Sequence, residues 1–516
     1  MDINILLLEL AKELRSGEVS VSELCNRCKE RASKLNSLNA LVTTTFEQAE
    51  KHALESNQRI QSGNARHILD GIPFAVKDNF STKGIRTTCA SKILQNYIPA
   101  YTATVVEKLE ECGAILMGKA NLDEFAMGSG CTDSIFGPTR NPWLYPYKER
   151  EVTGQRSDTQ EVQDTDWFIS GGSSGGSAVA VATGMVLGAL GSDTGGSTRM
   201  PASICGVVGL KPTYGLSSRH GLIPLVNSVD VPGVLSKTVD DAAVILGAMC
   251  GADPLDSTTV SLPDQSFQLP DEIDIKGLKV GIPQEYHSPR LEEEVLQSWS
   301  KAADLFENAG AKVIPVSLPH TQYSIACYSV LCAVEVASNM ARYDGIEFGH
   351  RSQDHSSTEA LYAASRHEGF NQVVRGRIFA GNFFLLRRNY KEFFQHAQKL
   401  RRLITRDFNE AFQEVDILLT PTTECESLTY AEYRQEDNRT HCETLDVYTQ
   451  PSNLAGVPAL SLPSYLSSKG LPIGLQMIAP CFQDKKLLTV AKWLEQQVAF
   501  PMNILHSQIE SFLLGR

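Results

Sequence analysis

Two stretches rich in glycine and serine stand close together in this chain: ISGGSSGGSAVAVATG, residues 169–184, and GSDTGGSTRMPAS, residues 191–203. A run such as Gly195-Gly196-Ser197 lets the backbone adopt conformations closed to other residues and approach a ligand closely. Successive N–H groups can then converge on one developing negative charge, which is what an oxyanion hole requires. A serine ending such a run is placed to attack a carbonyl carbon. A phosphate cradle is the rival use of such loops, but neither block carries GxxxxGK[ST] or GxGxxG.

A serine hydroxyl is a weak nucleophile at neutral pH and needs a base. One supplier is a histidine. Gly172-Ser173-Ser174-Gly175-Gly176 fits GxSxG, the pattern of a nucleophile elbow, so Ser174 with a distant acid and histidine is one reading. None of the 11 histidines stands in a comparable motif. The other supplier is a lysine. Lys77 closes the apolar run of DGIPFAVKDNF, residues 70–80, and a strand there would carry its ammonium to the strand's carboxyl end. Desolvation disfavours the charged form and makes a lysine a usable base near neutrality. Asp193 and Arg199 flank Ser197 in the second block and are read as bracing its loop.

The elements around these residues can be read from periodicity. IPFAV (72–76), AILMG (114–118), LKVGIP (278–283), AKVIPV (311–316), DILLTP (416–421) and PALSLP (458–463) are short apolar runs bounded by Gly or Pro. Such runs fit buried strands, and helical patterns such as 103–112 and 291–309 alternate with them. The expected fold class is α/β, a sheet covered by helices on both faces. Residues 3–15 and 22–35 read as amphipathic helices, the second opened by the capping pattern Ser20-Val-Ser-Glu23. The expected organisation is an N-terminal helical layer, 1–65, a main domain, 66–502, interrupted by a polar insertion at 147–166, and a tail, 503–516.

Composition narrows the function. The chain has 516 residues, 42% apolar and 21% charged, with ample material for a large core. A net charge of −13 argues against this chain gripping nucleic acid alone, because phosphate binding draws on Lys and Arg. The basic run QKLRRLITR, 398–406, has helical spacing and reads as a solvated face. Twelve cysteines without a paired framework fit free thiols in a reducing compartment, and the lone Cys25-Asn-Arg-Cys28 lacks the second pair a zinc site wants. No metal site is expected, and no stretch reaches the ~20 apolar residues of a membrane span. The amphipathic N-terminus carries Asp2, Glu9 and Glu13, unlike an Arg-rich presequence.

Lys77, the GGSSGGS block and the GSDTGGS block occur in the order and spacing of the amidase signature family, which this chain resembles over roughly residues 6–501. The resemblance implies a large mixed central β-sheet and a triad of Lys77 as base, Ser173 after a cis peptide bond as relay, and Ser197 as nucleophile. The backbone N–H groups of Thr194, Gly195 and Gly196, with that of Ser197, would form the oxyanion hole. No histidine is then required.

Within that family TKGIRTTCASKIL (82–94), GKANLDEFAMGSG (118–130), EVASNMARYDG (335–345), VVRGRIFAGNFFL (373–385) and PSNLAGVPALSLP (451–463) resemble the A subunits of glutamyl-tRNA(Gln) amidotransferases. That resemblance implies glutamine as substrate, with Arg377 pairing its α-carboxylate, Asp446 its α-ammonium, and Tyr328 closing the pocket. It also implies B and C partner subunits, the first of them holding most of Glu-tRNA(Gln), and ATP and Mg used in a partner rather than in this chain. Association with a membrane is not expected. The 147–166 insertion and SRHGLIPLVNSVDVPG (218–233) depart from bacterial wording and resemble the animal mitochondrial form, which implies the matrix.

Overall fold

The computed structural model describes residues 7–147, 167–262, 266–354 and 356–515. Apart from Tyr147, the polar insertion therefore lies outside the described residues, as do residues 3–6 of the expected first helix. Among the described residues one sheet holds β1 (Leu41–Thr44), β2 (Pro73–Lys77), β3 (Ile115–Ala120), β4 (Gly188–Asp193), β5 (Val208–Lys211), β6 (Val231–Ser236), β7 (Lys279–Pro283), β8 (Lys312–Val316), β9 (Ile417–Pro421), β10 (Ala459–Leu466) and β11 (Pro472–Ile478). Their order is β1-β3-β2-β4-β6-β5-β10-β11-β9-β7-β8. The sheet is mixed: β2 runs parallel to β3 and β4, β7 runs parallel to β8 and β9, and the strands between β4 and β9 pair antiparallel. Helices cover it on both faces, so the architecture is α/β as the apolar runs indicated.

All six runs read as strands are strands. β2, β3 and β4 are buried along their whole length, which explains why they lack polar alternation. Two features of this centre position the chemistry. β2 and β4 run parallel, with Val76 opposite Leu190, so their carboxyl ends, Lys77 and Ser192-Asp193, emerge side by side. β6 runs antiparallel to β4 with Val231 opposite Asp193, which brings Asp230 to the same rim.

The Gly175–Ala182 helix follows the first glycine block and is buried on every side, as its sequence GGSAVAVA permits. A Cβ at Gly176 would lie 2.4 Å from Asn121 N, so only glycine lets the helix lie this close to the β3 exit. Ser20 caps the Val21–Lys34 helix by accepting the Glu23 N–H, as its sequence pattern indicated. The chain's two ends join the same core. β1 pairs with β3, and the segment after residue 502 is a helix, Asn503–Leu513, that buries Leu505 and Ile509. Lys34 Nζ donates to Leu513 O at 2.9 Å across the two ends.

Away from the sheet centre, the Gln372–Leu385 helix lies against the Ser324–Met340 helix. The contact is backbone to backbone: a Cβ at Gly381 would stand 1.9 Å from the Ala333 carbonyl oxygen. The basic run 398–406 falls in the Phe394–Glu414 helix, where Arg402 and Arg406 are exposed as a solvated face requires. Arg401 differs, donating to Leu454 O and Ser228 O.

Candidate active site

Lys77 is wholly buried at the end of β2. Its Nζ lies 2.7 Å from Ser173 Oγ, 2.9 Å from Ser174 Oγ and 3.0 Å from Ser192 Oγ. Burial is the main influence on its titration and brings it down to about 8, although Cys131, Asp123, Asp193 and Asp230 pull the other way. A lysine in this position is substantially neutral at mildly alkaline pH, as a general base must be. Ser192, which lies in the second glycine block but was given no role there, also accepts from Asn79 Nδ2 at 2.9 Å and so holds the lysine head from a second side.

The Gly172–Ser173 peptide is cis. A Cβ at Gly172 would meet Asp123 Oδ2 at 2.2 Å, so the turn requires glycine. Asp123 accepts the N–H groups of Cys131, Thr132 and Asp133 at 2.9–3.1 Å and fixes the wall beneath it. Ser174 N donates to Ser197 O at 3.1 Å, tying the first glycine block to the second. The Ser174 side chain is fully buried; its Oγ meets Lys77 and donates to Ser192 O at 3.2 Å. Among the described residues no histidine bonds to it, so the nucleophile-elbow reading has no base. Ser197 is 9% exposed against 0% for Lys77, Ser173 and Ser174. It is the least enclosed serine of this group.

The loop after β4 is held from below. Asp193 and Arg199 pair in bidentate fashion, Nη2 to Oδ1 at 2.8 Å and Nε to Oδ2 at 3.0 Å, and both are fully buried. Burial alone would raise the Asp193 carboxyl, but Arg199 and then Lys211 and Asn453 outweigh it and hold it at about 2. Arg199 also donates to Thr449 O, Ser452 Oγ and Gln476 Oε1. This pair braces the loop, as its position flanking the glycines indicated. Thr194 Oγ1 donates to Asp230 Oδ1 at 2.8 Å. Among the described residues the N–H groups of Thr194, Gly195 and Gly196 donate to no protein acceptor. Gly196 has φ +142° and would place a Cβ 2.2 Å from Thr449 Oγ1. Only glycine leaves those N–H groups free on this path.

A cavity of about 690 Å³ is lined by Arg377, Tyr328, Asn438, Cys332, Cys442 and Gln450 among others, and Tyr328 and Gln450 stand between it and Gly195 of the loop. Tyr328 closes its inner end, since a Cβ at Gly195 would touch the phenol ring and hydroxyl at 3.1 Å. Arg377 is half-buried, with Nη1 3.4 Å from Cys332 Sγ and Nη2 3.3 Å from Asn438 Oδ1. Among the described residues it has no carboxylate partner. Asp446 lies behind Gly196, where a Cβ would stand 3.3 Å from its Oδ1. Burial, then the neighbouring Asp193, pushes its carboxyl well above the usual carboxylate range, against the pull of Arg199 and Arg377. Tyr328 and Asp446 therefore lie against the loop that carries Ser197, and Arg377 shares the cavity wall with Tyr328. Asn438 and Gln450 were missed because no motif marks them. Asp230 and Asp123 both lie in stretches already singled out, and their burial among backbone donors is what the sequence could not display.

A buried lysine, a serine behind a cis peptide and a second serine in a loop with free N–H groups are brought together here with no histidine bonded to either serine among the described residues. The chain belongs to the Amidase family, whose sequence profile matches residues 20–151 and 158–488. It is 59% identical to the A subunit of the mitochondrial glutamyl-tRNA(Gln) amidotransferase of Bos taurus, over 96% of this chain and 94% of that protein. The Homo sapiens protein of the same name is likewise 59% identical, with the same coverage. Among solved structures, the glutamyl-tRNA(Gln) amidotransferase A subunit of Thermotoga maritima superposes with a TM-score of 0.75 at 37% identity, covering 96% of this chain and 95% of that one. A peptide amidase bound to chymostatin superposes with a TM-score of 0.77 at 27% identity, covering 96% and 98%.

Proposed function

We propose that this chain is the glutamine-hydrolysing A subunit of a glutamyl-tRNA(Gln) amidotransferase. The observation that carries the reading is the wholly buried Lys77 Nζ 2.7 Å from Ser173 Oγ, at the foot of the loop presenting Ser197. The names of its 59%-identical relatives support the choice of glutamine over other amides.

Glutamine enters the cavity with its α-carboxylate on Arg377, whose planar guanidinium suits bidentate pairing. Its α-ammonium reaches Asp446. A cation there favours the ionised carboxyl, against the burial that disfavours it. Ser197 Oγ attacks the side-chain amide carbon, gives its proton to Ser173, and Ser173 passes its own to neutral Lys77. The N–H groups of Thr194, Gly195 and Gly196 receive the oxyanion. Collapse returns a proton to the nitrogen, ammonia leaves, and a γ-glutamyl ester remains on Ser197. Water, activated through the same relay, then releases glutamate.

Ammonia passes to a partner. In this reading B and C subunits complete the complex in the mitochondrial matrix, and the former holds Glu-tRNA(Gln). ATP and Mg act there to activate the glutamate, and ammonia converts it to Gln-tRNA(Gln). The acidic chain fits that division of labour, since tRNA recognition is left to a partner.

The test is intact-mass spectrometry and peptide mapping after exposure to 6-diazo-5-oxo-norleucine. The expected result is an adduct on Ser197 that disappears in Lys77→Ala. An adduct on Ser174, or one on Ser197 indifferent to Lys77, overturns the mechanism.

A further inference from the structure

The Gln372–Leu385 helix carries two opposed features. Arg377 faces the cavity, and Phe379, two residues on, stands about 200° around the helix at 3.6 residues per turn. Phe379 is 74% exposed and Phe383, one turn later, 46%. The stripe continues past the helix end with Leu386, 45% exposed, and Tyr390, 39%. Arg387, Arg388 and Lys391 are exposed beside its far end, and among the described residues none of them forms an ion pair. Contiguous exposed aromatics flanked by cations are the composition of a recognition surface, not of an ordinary solvated helix.

We infer that the stripe Phe379-Phe383-Leu386-Tyr390, with Arg387, Arg388 and Lys391, docks a segment of a partner polypeptide that presents apolar side chains flanked by carboxylates. Charge complementarity selects that occupant. On a chain of net charge −13, an acidic segment is repelled over most of the surface and drawn to this basic end. A bilayer fits less well: the same two turns carry Ala380 and Phe384 at the cavity wall and the polar Asn382, which a membrane would have to cover. The inference rests on the chain being one member of a larger enzyme and gives that partner contact a place and a chemistry. It also gives it a consequence, because the docked helix is the one that holds Arg377, and Gly381 leaves it no freedom to shift inward.

The test titrates the labelled full-length chain with purified B and C subunits by fluorescence anisotropy. Phe379→Asp with Phe383→Asp is expected to weaken binding about tenfold or more. Arg387→Glu with Arg388→Glu is expected to weaken it several-fold at low salt, with the difference shrinking as salt rises. Labelling of Ser197 by 6-diazo-5-oxo-norleucine stays at the wild-type level in both variants, which separates lost docking from lost folding. Hydrogen exchange of residues 372–390 slows when the partners bind. Unchanged affinity in both variants overturns the inference, as does a loss confined to anionic phospholipid vesicles or to self-association. Failure of the wild-type chain to label at Ser197 strikes the catalytic reading instead and leaves the binding result to stand by itself.

Discussion

The buried floor of the site and the wall of the cavity are built on different terms. The floor, Lys77, Ser173, Asp193 and Arg199, is fully buried, with Lys77 Nζ 2.7 Å from Ser173 Oγ and Arg199 paired to Asp193 at 2.8 and 3.0 Å. The wall holds Arg377 through two thiols and one amide oxygen at 3.3–3.6 Å, and its guanidinium is half-buried. The contrast follows from what each must do. Stabilising a transition state requires dipoles fixed before the substrate arrives. Recognising a substrate requires a charge left unspent until it does.

If the floor acts as one unit, damage to it should be severe and non-additive. Lys77→Ala and Ser197→Ala are each expected to lower kcat on the order of 10⁴-fold, and the double variant no further. Additive losses in steady-state kinetics would separate the two residues. Asp193→Asn leaves Arg199 buried without its charge partner and is expected to cost about 3–5 kcal/mol of stability by denaturant unfolding. The Asp193 contribution has a definite pH sense: its carboxyl is held at about 2, below its unfolded value, so the stability it adds is present at neutral pH and lost as pH falls towards 2. Acid titration should show that loss in the wild type and not in Asp193→Asn.

The wall should respond more gently and in a different parameter. Arg377→Lys is expected to raise KM for glutamine roughly thirtyfold, about 2 kcal/mol, while kcat changes less. Asn438→Ala removes one support of that guanidinium and should raise KM by about fivefold, near the 1 kcal/mol of a single hydrogen bond. A kcat effect as large as that of Lys77→Ala in either variant would erase the distinction between floor and wall. A pH profile sharpens it further. Lys77 must be neutral to act and is brought down to about 8, so kcat is expected to fall as pH drops through that value, in the wild type and in Asn438→Ala alike.

The same division governs how much was legible in the sequence. The floor is local: Lys77 ends an apolar run and Ser197 closes a glycine run that announces tight backbone, so residue types pointed to both, whereas the part given to Ser173 came from the family resemblance. β4 and β6 did not announce themselves as strands, because GALGSD and VPGVLS spend their positions on glycine, proline and serine. Their strand character comes from burial between neighbours, which no local pattern encodes. The wall is assembled from the Ser324–Met340, Gln372–Leu385 and Asn438–Leu445 helices, distant in the chain. Arg377 and Tyr328 came from a family resemblance, and Asn438 and Gln450 from neither source. What fixes them is helix packing across long separations.

At Gly381 the two wall helices meet without a side chain between them, so the depth at which Arg377 sits is set four residues away, by the thickness of a missing methyl group. Gly381→Ala would act as a spacer, lifting the charge outward without altering any group that touches glutamine. That contact is thus a dial for the depth of the pocket, lying apart from Lys77, Ser173 and Ser197.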